Sequence, residues 1–172
     1  GMRIESLSIV PMLAMGNAMS TFTAQNMGAG KIDRVKEGYR MCYVIVLTAG
    51  AVLCVMYQLA GGAFVSLFLD SGSSEAYSVG LSYVKFLSFF YSFIGLKAST
   101  DGLLRGAGDV TAFTVANLVN LAIRVSVTNL FAPIYGIQVA WMAVPLGWAA
   151  NYVISFGWYL TGKWKKVRVI KK

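Results

Sequence analysis

Six polar side chains set within long apolar runs carry the chemistry open to this chain: Gln25, Asn26, Tyr91, Asn117, Asn120 and Arg124. They are amides, a phenol and a guanidinium, which donate and accept hydrogen bonds. Their expected role is to wall a cavity and shape it by hydrogen bonding, not catalysis. The sequence contains no histidine, which removes histidine-based catalysis and proton relay. No group of residues has metal-ligand spacing, and no serine or cysteine has a histidine to serve it. Gly28-Ala29-Gly30-Lys31 resembles a piece of a phosphate loop, but it lacks the G-x-x-x-x-G-K-[ST] spacing and no strand precedes it. We expect no enzyme, no metal and no cofactor. Among seven acids, only Asp101 is expected near membrane depth. Lys97 stands four residues before it, so the two share a helical face and can pair. Arg124 invites two readings: a structural pair with a neighbouring carbonyl or carboxylate, or a place in the wall of a cavity.

The elements that must position these groups are membrane helices. The chain has 172 residues, 57% hydrophobic and only 13% charged, with a mean hydropathy of +0.64. A soluble domain of this size carries about 25% charge. An α-helix crosses the hydrocarbon core in about 20 residues. Apolar runs at about 4–27, 38–59, 77–104, 110–131 and 137–161 therefore predict an all-α, polytopic bundle of five spans in one membrane domain. Their lack of a polar stripe argues against a soluble helical protein.

Asn26-Met27-Gly28-Ala29-Gly30-Lys31 joins the first two runs, and Leu104-Arg105-Gly106-Ala107-Gly108-Asp109 joins the third and fourth. Both put glycines and then charges between apolar segments. Gly28, Gly30, Gly106 and Gly108 are read as structural turn residues. Residues 33–37 read as a short cytoplasmic link. Gly61-Gly62 is expected to end the second span, and residues 63–69 to lie at the outer interface before an exposed loop over 70–75. Pro11 should loosen the first helix and Pro145 with Gly147 the last. Pro133 and Gly136 should make the second outer turn. The polar inner half of the first helix (Ser20, Thr21, Thr23, Gln25, Asn26) should face another helix or a watery cavity. The aromatic run Phe86, Phe89, Phe90, Tyr91 and Phe93 serves packing or lipid contact, or a surface for flat apolar ligands.

The net charge of +8 is not spread evenly. Lys31, Arg34, Lys36 and Arg40 follow the first run, Arg105 follows the third, and six of the last ten residues are Lys or Arg. The connections near 61–78 and 132–136 contain neither. This is the positive-inside pattern and places the C-terminus in the cytoplasm. The basic tail over 163–172 then suits anionic lipid rather than nucleic acid. Cys42 and Cys54 fall on one helix about 18 Å apart, too far for a disulfide. No cleavable signal peptide is expected, since the N-terminal run lacks a basic n-region and an A-x-A site.

The stretch Pro11-Met12-Leu13-Ala14-Met15-Gly16-Asn17-Ala18-Met19-Ser20-Thr21-Phe22-Thr23-Ala24-Gln25-Asn26-Met27-Gly28-Ala29-Gly30-Lys31, followed by Asp33-Arg34, resembles the MATE (multidrug and toxic compound extrusion) family. So does Leu104-Arg105-Gly106-Ala107-Gly108-Asp109 ahead of a helix that begins Val110-Thr111 and holds Asn117, Asn120 and Arg124. The resemblance covers essentially the whole chain. It implies a twelve-helix transporter of two six-helix lobes, of which this chain looks like the eighth to twelfth helices. It further implies a multi-pass protein of the plasma membrane that exports small organic cations in exchange for Na+ or H+. Alternating access needs two repeats moving against each other, so the isolated chain is expected to be transport-dead. The missing N-terminal lobe, or self-association, would cover its polar faces. The resemblance implies a coupling acid that some members carry in the first lobe and others in the helix matching the third span here, about eleven positions before the Arg-Gly pair. Here that neighbourhood is Tyr91-Ser92-Phe93-Ile94, without an acid. Two rival readings stand beside this one: a flippase for lipid-linked saccharides, and a regulatory or nonfunctional fragment that only packs with other membrane proteins.

Overall fold

A computed structural model describes residues 2–67 and 74–166. Among them the protein forms six α-helices and no strand: α1 (Met2–Gly28), α2 (Ile32–Ser66), α3 (Ser74–Ser88), α4 (Tyr91–Gly106), α5 (Val110–Tyr135) and α6 (Ile137–Leu160), followed by a 3-10 turn over Lys163–Lys166. The all-α membrane bundle expected from the apolar runs is what the chain builds.

The two glycine motifs fold alike. After α1, Gly30 N–H donates to Met27 O (3.0 Å) and Lys31 N–H to Asn26 O (2.8 Å), with Gly30 at φ +70°. After α4, Gly108 N–H donates to Arg105 O (3.1 Å) and Asp109 N–H to Leu104 O (2.9 Å), with Gly108 at φ +83°. This pair of reverse bonds is the Schellman closure, whose left-handed residue favours glycine because it has no Cβ. Asp109 then opens α5, its carboxylate accepting from Ala112 N–H (3.3 Å).

Helix α4 is the hub, packed against α1, α2, α5 and α6. It is buried almost throughout from Ala98 to Leu104. Small residues make this possible. An added methyl on Gly16 would sit 2.6 Å from Ala98 O, and one on Gly102 would collide with the Gly16 carbonyl. Helices α1 and α4 thus meet backbone to backbone, as small residues allow in membranes. The apolar outer faces of α2 and α5, with Val44, Val55, Leu59, Leu118, Leu121 and Leu130, are exposed.

Three expectations are corrected. First, α2 is continuous from Ile32 to Ser66: residues 33–37 belong to it, and Gly61-Gly62 does not end it. These glycines instead let α3 approach. Tyr77 OH donates to Gly62 O (3.2 Å), and a methyl on Gly61 would lie 3.2 Å from a Leu81 methyl. Second, the span expected over 77–104 is two helices, α3 and α4, bent by 54° at Phe89-Phe90. Ser88 Oγ donates to Lys85 O (2.7 Å), and Gln58 Nε2 from α2 donates to the same carbonyl (3.0 Å) and to Ser88 Oγ (3.1 Å). Side chains thereby satisfy backbone that the break frees, as the bilayer interior requires. Third, Pro133 lies inside α5 and α6 runs unbroken through Pro145 and Gly147, so the outer turn rests on Gly136 alone (φ +81°), while Pro11 lies inside α1 as expected. Among the described residues, three helices are long and apolar enough to cross a membrane (Ile32–Ser66, Val110–Tyr135 and Gln138–Leu160), or four with the bent pair as one span. Residues 70–73 and 167–172, expected as outer loop and basic tail, lie outside the described residues.

Candidate functional site

Where α4, α5 and α6 meet, they bury a polar seam. Its centre is Asp101, 4% exposed. Lys97 lies one turn back on α4 and brings its Nζ to 3.0 Å from Asp101 Oδ2. The same Nζ donates to Asn117 Oδ1 (3.0 Å) on α5. Asn117 Nδ2 donates to Asp101 Oδ2 (3.3 Å) and to Phe113 O (2.8 Å). From α6, Ser155 Oγ donates to the other carboxylate oxygen, Asp101 Oδ1 (2.7 Å). Asn151, one turn before Ser155, is wholly buried with its Oδ1 3.4 Å from Ser155 Oγ.

The helical repeat explains the assembly. Lys97 and Asp101 on α4, and Asn151 and Ser155 on α6, are each i, i+4 pairs that share a face. At this depth a lone charge costs several kcal/mol, and pairing with full hydrogen bonding offsets that cost. The seam continues along α5 and α6. Asn120 Oδ1 lies where a side chain on Gly147 would stand, and the Arg124 stem passes 2.8 Å from that position. Asn120 Oδ1 and Asn151 Nδ2 are buried without a hydrogen-bond partner.

A crevice of about 270 Å³ opens beside the seam, between α1, α4 and α5. Lys97, Asp101 and Asn117 form its polar wall. Arg105 closes one side, donating to Asn17 Oδ1 (2.7 Å) with its guanidinium 5.7 Å above the Phe113 ring. Two cations against one carboxylate leave the crevice with an excess positive charge.

On the opposite side of α4 a tyrosine group ties three helices. Tyr39 and Tyr43 of α2 bond to each other and to Thr100 Oγ1 (2.7 and 2.9 Å), and Tyr43 OH donates to Tyr152 OH of α6 (3.2 Å). Tyr159 packs against Tyr39, and Trp164 stacks on Tyr159 while its indole N–H donates to the Tyr159 carbonyl (3.0 Å). Trp158 Nε1 donates to Asp109 Oδ2 (2.7 Å), which joins the start of α5 to the end of α6.

The six residues singled out from sequence do not form one site. Asn117, Asn120 and Arg124 lie together along the seam, with Arg124 exposed at its end and outside the ion pairs among the described residues. Asn26 is buried but spends its amide on Phe22 O (2.8 Å), within α1. Gln25 is exposed at the end of that helix. Tyr91 is buried at the far end of α4, against Tyr57 (5.8 Å between ring centres). Of the glycines, Gly30 and Gly108 hold the left-handed turn positions, while Gly28 and Gly106 are the last residues of α1 and α4. The sequence reading passed over Asn151 and Ser155. The available signal was an i, i+4 polar pair inside a largely apolar 24-residue run.

The family described as MatE matches residues 1–144. The probable multidrug resistance protein YpnP of Bacillus subtilis is 28% identical over 168 residues, covering 97% of this chain and 37% of the relative. The probable multidrug resistance protein NorM of Thermotoga maritima is 21% identical over 181 residues, covering all of this chain and 37% of the relative. A solved structure described as the inward-facing conformation of a multidrug resistance MATE family transporter of the MOP superfamily shares the fold. It has a TM-score of 0.77 at 20% identity, and covers 90% of this chain and 36% of that one. The chain therefore spans a little over a third of the length of these relatives.

Proposed function

The chain belongs to the MatE family, whose members are transporters and not enzymes, and on that premise we propose that it is the C-terminal part of a multidrug exporter. In this reading the whole transporter carries small organic cations out of the cell across the plasma membrane, in exchange for Na+ or H+, with the C-terminus of this chain in the cytoplasm. The match of the family across residues 1–144 carries the reading. The geometry supports it in one respect: polar groups gather at a helix junction deep in an apolar bundle, where a transporter needs them. Asn117, Asn120 and Arg124 are the side chains we assign to the ligand-facing wall. Anionic lipid is the partner we assign to the basic tail.

Transport belongs to two lobes, so the 172 residues alone should insert into a membrane without moving substrate. Vesicles holding only this chain should show no drug-dependent efflux of a fluorescent organic cation. Vesicles holding the chain with the remaining helices should show it. Efflux from the first would overturn the assignment of this chain as a partial lobe, and no efflux from the second would overturn the transport assignment.

A further inference from the structure

The seam has the form of a cation site that the chain fills with its own cation. Two oxygens from two helices meet at one point, Asp101 Oδ2 from α4 and Asn117 Oδ1 from α5, while Ser155 Oγ from α6 donates to the other oxygen of the same carboxylate. The Lys97 ammonium occupies that point at 3.0 Å from both the carboxylate and the amide oxygen. Its side chain is 14% exposed and that of Asp101 is 6% exposed.

The α6 wall holds one more buried group. Ser155 has a single hydroxyl proton, and the 2.7 Å approach to Asp101 Oδ1 takes it. The 3.4 Å neighbour on Asn151 is then a hydrogen bond only if the Asn151 amide turns to donate through Nδ2 to Ser155 Oγ. That turn satisfies the Nδ2 left without a partner and leaves the amide oxygen as a wholly buried acceptor. Carboxylate, amide and hydroxyl oxygens are the donor set of a hard cation. A lysine ammonium is a compact, strongly hydrated charge on a flexible stem, and it can enter or leave such a cage without leaving the protein.

We propose that Lys97 is a tethered cation occupying a carboxylate–amide cage between α4, α5 and α6, and that removing its charge turns the cage into a binding site for a free monovalent cation. The one acid expected at membrane depth, Asp101, is already neutralised from within. This inference does not rest on the transport reading, because binding is read in purified protein without transport.

The test compares thermal unfolding of the purified chain in Na+ and in choline, a cation too large for the cage. Wild type should unfold at the same temperature in both. K97A and K97Q should each be stabilised by Na+ or by ethylammonium relative to choline, with saturation, and K97Q/D101N should lose the effect. K97Q keeps an amide donor for Asn117 Oδ1 and so covers the case in which K97A does not fold. If both variants fold only with Na+ or ethylammonium present, the proposal stands. It falls if neither cation stabilises or restores them, or if wild type is itself stabilised by Na+ in a way that D101N abolishes.

Discussion

Lys97 and Asp101 are held together by more than their own attraction. Asn117 and Ser155 take up the remaining carboxylate sites, so each charge is buried in a finished network. Removing one partner leaves the other charge unpaired in low dielectric, which costs about 3–5 kcal/mol, whereas replacing both by apolar groups is often neutral or stabilising. Asp101→Ala should therefore lower the unfolding temperature of the detergent-solubilised chain strongly, and the double variant Lys97→Met, Asp101→Leu should recover most of the loss. Equal damage from single and double variants would show that the pair itself stabilises the bundle. At this scale the sequence was half legible. The pair followed from i, i+4 spacing on one helix. Ser155 lies 54 residues beyond Asp101, and its partner is set by how α4 and α6 pack, which no local spacing encodes. Gln25 and Asn26 were singled out for polarity alone, and the end of α1 uses Asn26 on its own carbonyl instead.

Helices and turns were more legible than sites, and the reason is local chemistry. The Gly-Ala-Gly motifs could be read as turns because a left-handed closure needs glycine at one position, and that need travels with the motif wherever it stands. The break between α3 and α4 carried no such mark. No proline or glycine stands at Phe89-Phe90, and the apolar run continues across it. What allows the break lies on another helix: Gln58, which holds the Lys85 carbonyl. Gln58→Leu leaves that carbonyl to Ser88 alone, and we expect a loss of about 1–2 kcal/mol. Amide hydrogen exchange should quicken around residues 85–91 and stay unchanged across α5. An unchanged rate at 85–91 would mean that Ser88 suffices to hold the break. Glycines misled in α2, where Gly61-Gly62 serves close packing with α3 rather than a helix end.

For the molecule as a whole, we propose that charge placement sets the orientation. At 1.5 Å per residue the 35 residues of α2 reach about 52 Å, well beyond a hydrocarbon core of about 30 Å. Its first turns, with Asp33 paired to Lys36 (2.7 Å), then lie on the basic side, in water. An impermeant thiol reagent added to intact cells should label Ser73→Cys but not Lys172→Cys in a Cys42→Ser, Cys54→Ser background. Labelling at both sites, or at neither with the protein in the membrane, would break the orientation. The apolar runs announced a membrane bundle because the bilayer constrains every residue of a span in the same way. The joining of the seam stayed hidden because its members come from three separate helices, and how those helices pack is not encoded in any local spacing.

The break between α3 and α4 also has a mechanical consequence. A straight span resists tension as one hydrogen-bonded rod, and it leaves the bilayer whole when it yields. A span interrupted at its centre yields in two stages. Under force applied from the C-terminal end, α4 would come out ahead of α3, and its 16 residues would release roughly 55 Å of extended chain before the second half gives way. The joint at Phe89-Phe90 would then appear as a pause in the extension.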